Sequence, residues 1–249
     1  MFPNRFSNFG RMVTILAAVG CVLAGPFVSS PAWAASFPQK GKAIQMLVGF
    51  AAGGSTDVGA RILASGLEKE LGTAFVVVNK PGAGSQIAYT ALTQAKPDGY
   101  TIGNTNFPSA VVSYLDPARK ATYTRKNFEP LALHVVDPGL FAVKANSPFK
   151  SLKEVIDAAK TTPKKVKIAT TGIQSDEHFA ILQLQKMTGA QFAMVHFSQG
   201  SAPALTAILG GKIDVFCGNV GDLLGRSSRA ARYASWGSWT TKRAHSIQG

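Results

Sequence analysis

The sequence predicts an α/β fold with a mostly parallel sheet, split into two domains, on three observations. Short apolar runs end at small polar or glycine loops and lead into helical periodicity. That unit recurs several times. A break near residue 136 separates the copies into two groups. Strands alternating with helices imply a parallel ladder whose ligands lie at the carboxyl ends of the strands.

The organising unit is Ile44-Gln-Met-Leu-Val-Gly-Phe50, then Ala51-Ala-Gly-Gly-Ser-Thr-Asp57, then a helix with Ile62, Leu63, Leu67 and Leu71 at helical spacing. Ser55, Thr56 and Asp57 are N-cap types, so the helix starts among them. Gly53 and Gly54 let backbone N–H groups approach a ligand, and a helix N-terminus attracts anions. An ordinary βα turn is the alternative. The loop lacks the Gly-Lys-Ser/Thr of a P-loop and the G-x-G-x-x-G of a dinucleotide site. Asp57 repels a phosphate unless it caps the helix or meets a ligand hydroxyl or ammonium.

Ala74-Phe-Val-Val-Val-Asn79 reads as a second strand, followed by the glycine loop Lys80-Pro-Gly-Ala-Gly-Ser85 and a helix from Gln86 to Ala95. Pro97-Asp98-Gly99 turns the chain into a third strand, Tyr100 to Asn104. Longer apolar runs follow in Leu131-Ala-Leu-His-Val-Val136 and Leu140-Phe-Ala-Val143, with Asp137-Pro138 between them. The domain crossover is placed here. Ser151-Leu-Lys-Glu154 is a capping box that opens a helix to Lys160. Val166 to Ala169 is a strand, 170–175 a polar loop, and Asp176 to Thr188 a helix with Phe179, Leu182 and Met187 inward. A further copy follows as Met194 to Phe197, the loop 198–201 and a helix from Ala202 to Leu209 with Pro203 in its first turn. Ile213 to Phe216 is the next strand.

Composition narrows the function. Arg5 and Arg11 precede an apolar segment from Met12 to Val28, and Ala32-Trp33-Ala34 supplies a cleavage pattern, so residues 1–34 read as a secretory signal peptide and the protein as periplasmic. No later run is apolar enough to span a bilayer. Cys217 alone remains in the mature chain, which excludes an internal disulfide and reads as a small buried residue. The formal charge is +13; of 26 basic residues, two lie in the leader and five after Leu224, leaving 19 against 13 acidic. That modest excess suits an anionic small molecule. The lysines are scattered without an aromatic-interleaved stripe, which argues against nucleic acid. His134, His178 and His196 lack metal-site spacing, and no Ser/His/Asp arrangement argues for hydrolysis. No metal and no cofactor are expected.

Phe50-Ala-Ala-Gly-Gly-Ser-Thr-Asp57, Asn79-Lys-Pro-Gly-Ala-Gly84, Pro97-Asp-Gly-Tyr-Thr101, Ser151-Leu-Lys-Glu154, and Gly200-Ser-Ala-Pro-Ala-Leu205 with Leu209-Gly-Gly-Lys-Ile-Asp214 occur in that order. In them the chain resembles the Bug family of periplasmic solute-binding proteins, receptors of tripartite tricarboxylate transporters, from about Ile44 to Leu224. The resemblance implies a two-domain periplasmic-binding-protein (clamshell) fold, incomplete at the C-terminus, with domains at 35–135 and 136–224. It implies a monomeric receptor that closes on a small carboxylate or amino-acid-like solute and passes it to membrane transporter subunits, performing no chemistry. The ligand candidates it carries over are Gly54, Ser55, Thr56 and Asp57, then Thr171, Gly172, Ser175, His178, Ser201 and Ala202. Gly49 stands where the family usually has proline, and Ser198-Gln199 replaces the usual Tyr-Lys, which argues against a highly charged ligand. An exported enzyme using the same cleft and a truncated receptor without function are the alternatives.

Residues 225–249 read as an aberrant tail: they hold five basic residues, no acid, and two of the three tryptophans. Because tryptophan has a single codon, a shifted frame across Trp236 and Trp239 re-reads as an apolar strand and a polar turn. A frameshift near Gly225 is therefore the expectation, with the final strand of the second domain lacking and an unpaired strand edge left behind.

Overall fold

The computed structural model describes residues 37–224 and the backbone of 233–239. The expected leader and most of the tail lie outside the described residues.

Two sheets carry the chain from Lys40 onward. The first is parallel, in the order β2-β1-β3, from β1 (Ile44–Val48), β2 (Phe75–Asn79) and β3 (Thr101–Asn104). The second runs β6-β5-β7-β4-β8, from β4 (Gly139–Lys144), β5 (Lys167–Thr170), β6 (Ala193–His196), β7 (Val215–Asn219) and β8 (Tyr233–Trp239). Here β5 is parallel to β6 and β7, while β4 runs antiparallel between β7 and β8. The sheets are mostly parallel, as the alternation of elements requires. An unpaired edge was expected in the second sheet, but Tyr233–Trp239 pairs along the whole of β4. The tail in its present frame thus supplies a strand that the sequence reading took to be lacking.

Helices cover both sheets. α1 (Ser55–Leu71), α2 (Gln86–Thr93) and α3 (Ser109–Leu115) follow the strands of the first sheet, and α4 (Leu152–Thr161), α5 (Asp176–Thr188), α6 (Ser201–Leu209) and α7 (Val220–Leu224) belong to the second. In β7 the side chains alternate: Val215 and Cys217 join a core with Val155, Ala159 and Ile181, and Phe216 joins Ala204, Leu205 and Ile208 on the other face. A sheet covered on both faces needs such an all-apolar strand. Cys217 is fully buried, as read, and burial pushes its thiol well up.

Two inward stripes differ from expectation. In α1 Ile62 and Leu71 are exposed, whereas Ala60 and Ala64 are buried with Leu63 and Leu67 packed beside them. In α5 Phe179, Leu182 and Met187 face outward, and the buried positions are Glu177 and Ile181 with Leu184 against the core. A carboxyl group at a core position is what misleads a hydrophobic count. The capping box at Ser151 is half met: Ser151 Oγ accepts from Glu154 N at 3.2 Å, but Glu154 Oε2 accepts from Lys150 N rather than from the cap residue. The helix α1 begins at Ser55 as expected, with Gly54 as its cap residue and no side-chain cap.

Gly49 ends β1 against Ser85, which is buried at φ +73° and donates from Oγ to Gly49 O at 3.2 Å. A Cβ on residue 49 would lie 2.9 Å from the Ser85 Cα. The usual proline therefore has no room here. Gly49→Ala is expected to cost about 1–3 kcal/mol in urea unfolding. Ser85→Gly, which suits the positive φ, is expected to restore part of that loss in the double variant. A neutral single variant would overturn this account of the glycine.

Candidate functional site

A parallel strand delivers the chain to a helix N-terminus at its carboxyl end, so each βα loop opens on the same edge of its sheet. The edges of both sheets contribute to one cavity of about 30 Å³, room for about two water molecules. From the first sheet come Phe50, Gly54, Ser55, Thr56, Asn106 and Ser109. From the second come Thr171, Asp176, Glu177, Gly200, Ser201, Asn219 and Asp222.

Backbone proximity brings these loops together. A Cβ on Gly54 would sit 2.8 Å from Ser201 Oγ, and one on Gly200, at φ +105°, would sit 3.0 Å from the Phe50 ring. Glycine is favoured at 200 by the positive φ, whereas at 54 an added Cβ would displace the Ser201 hydroxyl. Ala51 N donates to Gln199 O at 2.8 Å, and Ser55 N, the first amide of α1, donates to Asp222 Oδ1 at 3.0 Å. The other Asp222 oxygen accepts from Asn219 N at 2.9 Å. Outside the cavity lining, Arg119 donates to Ala83 O, Ile173 O and Gln174 Oε1, while Gln174 Nε2 donates to Asp116 Oδ2 at 2.6 Å.

Of the ten expected residues, Gly54, Ser55, Thr56, Thr171 and Ser201 line the cavity, and Asp57, Gly172, Ser175, His178 and Ala202 do not. Asp57 is buried and accepts from Gly53 N, Asn79 Nδ2 and Arg61. Burial raises its carboxyl, but the Arg61, Gly53 and Asn79 hydrogen bonds outweigh burial and hold it below the usual carboxylate range. It ties the loop after β1 to the end of β2. Gly172, at φ +151°, keeps the loop after β5 tight, and Ser175 caps α5 by accepting from His178 N at 3.3 Å. His178 Nδ1 accepts from Gln174 N at 2.9 Å, and its ring lies 4.8 Å from that of His196, which bonds Thr170 Oγ1. Burial lowers both imidazoles, and His196 adds to the effect on His178, so both are neutral at pH 7.

Phe50, Asn106, Ser109, Asp176, Glu177, Gly200, Asn219 and Asp222 are additional lining residues. Asn219 and Asp222 carried a signal, since both follow a strand as the residues of the other loops do. Asn106 and Ser109 lie in an irregular stretch without one. Asn106 Nδ2 donates to Thr56 Oγ1 at 3.0 Å, and its buried Oδ1 has no partner among the described residues. The second-sheet side of the cavity is acidic. Burial, then the charges of Asp222 and Asp176, raises Asp137, whose carboxylate accepts from Gly221 N. Burial raises Asp176 as well. Glu177 is pushed up to about 8, first by burial and then by Asp176, against the pull of Ser175 and Thr171; Thr171 Oγ1 lies 2.7 Å from Glu177 Oε2. Glu177 is thus a neutral acid at pH 7.

The family described as tripartite tricarboxylate transporter family receptor matches residues 59–245, a span that reaches through β8. The chain belongs to this family. It is 32% identical to the protein BugT of Bordetella pertussis over 205 residues, 82% of this chain and 62% of that one. It is 31% identical to the UPF0065 protein in the gbd 5′ region of Cupriavidus necator over 203 residues, 80% and 59%. MatC of Rhodopseudomonas palustris, solved with bound malate, superposes with a TM-score of 0.70 at 27% identity over 80% of this chain and 67% of that one. The receptor-family chain thus spans about 60% of the length of the curated relatives it matches. Among its described residues no helix is long and apolar enough to cross a membrane.

The carboxyl groups set the pH response. Between about 4.5 and about 8 folded Glu177 keeps its proton and the unfolded chain does not, so unfolding free energy falls as pH rises through that window. Asp137 and Asp176, raised from 3.8, add the same sign. Asp57 acts oppositely, its contribution being lost as pH falls below 3.8. Glu177→Gln is expected to flatten the slope between pH 5 and 8 in denaturant titrations; a slope as steep as that of the parent would overturn the assignment to Glu177.

Proposed function

We propose that this chain is an exported, periplasmic receptor that captures a small carboxylate-bearing or amino-acid-like solute for a tripartite tricarboxylate-type transporter and performs no chemistry on it. The observation that carries this reading is the convergence of loops at three helix N-termini, those of α1, α5 and α6, on one cavity fed by both sheets. Helix N-termini present N–H donors and partial positive charge, which suit a carboxylate. Thr56, Thr171 and Ser201 add hydroxyls, and Ser175 holds the α5 terminus in place. Family membership and the malate bound to MatC point the same way.

The mechanism is opening and closing of two lobes, one around each sheet, with the crossover near residue 136. A cavity of about 30 Å³ admits no dicarboxylate, so entry requires the Ala51–Gln199, Ser55–Asp222 and Asp116–Gln174–Arg119 contacts to part. Closure then takes the solute out of water, where each hydrogen bond counts for more.

In a thermal-shift screen of the full chain with malate, other di- and tricarboxylates, aromatic acids and amino acids, at least one carboxylate is expected to raise Tm, in proportion to about 2.7 kcal/mol at 100 times its Kd. Ser201→Ala is expected to weaken that ligand several-fold. A well-folded chain that no acid stabilises, or that turns the acid over, would overturn the reading.

A further inference from the structure

The clasp at Arg119 reaches the second sheet through a short loop that two imidazoles hold. Arg119 donates to Ala83 O on its own side, and to Ile173 O at 2.8 Å and Gln174 Oε1 at 2.6 Å on the other, while Gln174 Nε2 donates to Asp116 Oδ2. Gln174 sits at φ +66°, a left-handed backbone that side chains other than glycine rarely adopt. His178 fixes it there, its Nδ1 accepting from Gln174 N at 2.9 Å. Two residues earlier, Gly172 N donates to Thr170 Oγ1 at 3.2 Å, and the same hydroxyl lies 2.8 Å from His196 Nδ1. The His178 and His196 rings meet edge-on, 4.8 Å apart at 77°. Neither ring lines the cavity.

An imidazole that accepts at Nδ1 is neutral and carries its proton on Nε2. A second proton on His178 would turn Nδ1 into a donor facing the Gln174 N–H. It would also set a positive charge in the first turn of α5, against the helix dipole and beside the His196 ring. Among the described residues the titratable group whose charge acts on His178 is His196 of β6; Asp176 and Glu177 direct their carboxyls to Asn219 and Thr171, and Asp116 and Arg119 meet Gln174 rather than the ring. We propose that His178 is an acid-sensitive release for the clasp: on taking up a proton it frees the loop 172–174 from Arg119 and Asp116, and the two lobes part. This rests on the lobe opening proposed above and adds what triggers it. Burial, and then His196, lowers the His178 imidazole from 6.5 in the clasped form, so the proton binds the parted form, where the ring is released, more readily. The clasp is fully present above 6.5 and is lost as pH falls below that value. A solute held at neutral pH is then released in acid.

The test follows amide exchange of the full chain at pH 7 and pH 5, corrected for the intrinsic pH dependence of exchange. Gln174 N reports the loop, and Ala51 N, which donates to the non-titrating Gln199 O from the other half, reports the parting of the lobes. Protection at both amides is expected to fall at least threefold in acid. His178→Asn, whose carboxamide oxygen stands in for Nδ1 and does not titrate, is expected to keep both amides protected at both pH values. Unchanged protection in the parent, an equal fall in His178→Asn, or loosening at Gln174 that leaves Ala51 protected would each overturn the proposal. So would an NMR titration of the His178 ring whose midpoint lies apart from that of the exchange, a check that needs no variant. Stabilisation by a carboxylate at pH 7 is measured on parent and variant alike: its absence from both fails the receptor reading, whereas its presence with no response of the clasp to acid fails the switch alone.

Discussion

The ends of helices that carry like partial charge do not pack together unaided, and this chain packs them together. The N-terminus of α1 meets the N-terminus of α6 at Gly54 and Ser201, beside the first turn of α5. Each brings unsatisfied N–H groups and about half a positive charge. What makes the junction tolerable is a carboxylate: Asp222 reaches from the second half to the first amide of α1 while its other oxygen holds Asn219. The same positive convergence that would hold a solute's acid group is balanced in this arrangement by an acid of the chain itself. Under the proposed function a solute carboxylate would compete with Asp222 for the Ser55 amide, and opening of the cavity would free that donor.

The acids around this junction serve different ends. Asp57 stays ionised because Arg61, Asn79 and Gly53 surround it, and it acts as a strut between two βα loops. Glu177, sealed in the core, holds its proton, bonds Thr171 and shapes the floor of the cavity without adding charge. Two carboxyl groups with opposite protonation preference thus brace opposite walls.

Much of the fold was legible in the residues. The βα units, the two glycine loops and the helix at Asp176–Thr188 follow from periodicity and turn chemistry, and three of the cavity-lining loops, at 54–56, 171 and 201, were identified because strand ends and helix starts carry distinctive residue types. Three features were not legible. Asp57 has the look of a ligand group in sequence, yet its partner Asn79 is brought to it by the parallel pairing of β1 and β2, which no local pattern states. Glu177 sits where a polar face was expected, so the inward stripe of α5 was placed on Phe179, Leu182 and Met187. The tail from Tyr233 to Trp239 has neither the alternation nor the flanking turns of a strand; what makes it one is the open side of β4, a tertiary fact.

The contact of Gly49 with Ser85 ties two positions that are far apart in the chain into one packing unit. The backbone at residue 85 fills the space that a ring at residue 49 would need. A side chain can be accepted at residue 49 only if the loop that carries residue 85 moves outward, so a change at the first position has to be accompanied by a change at the second.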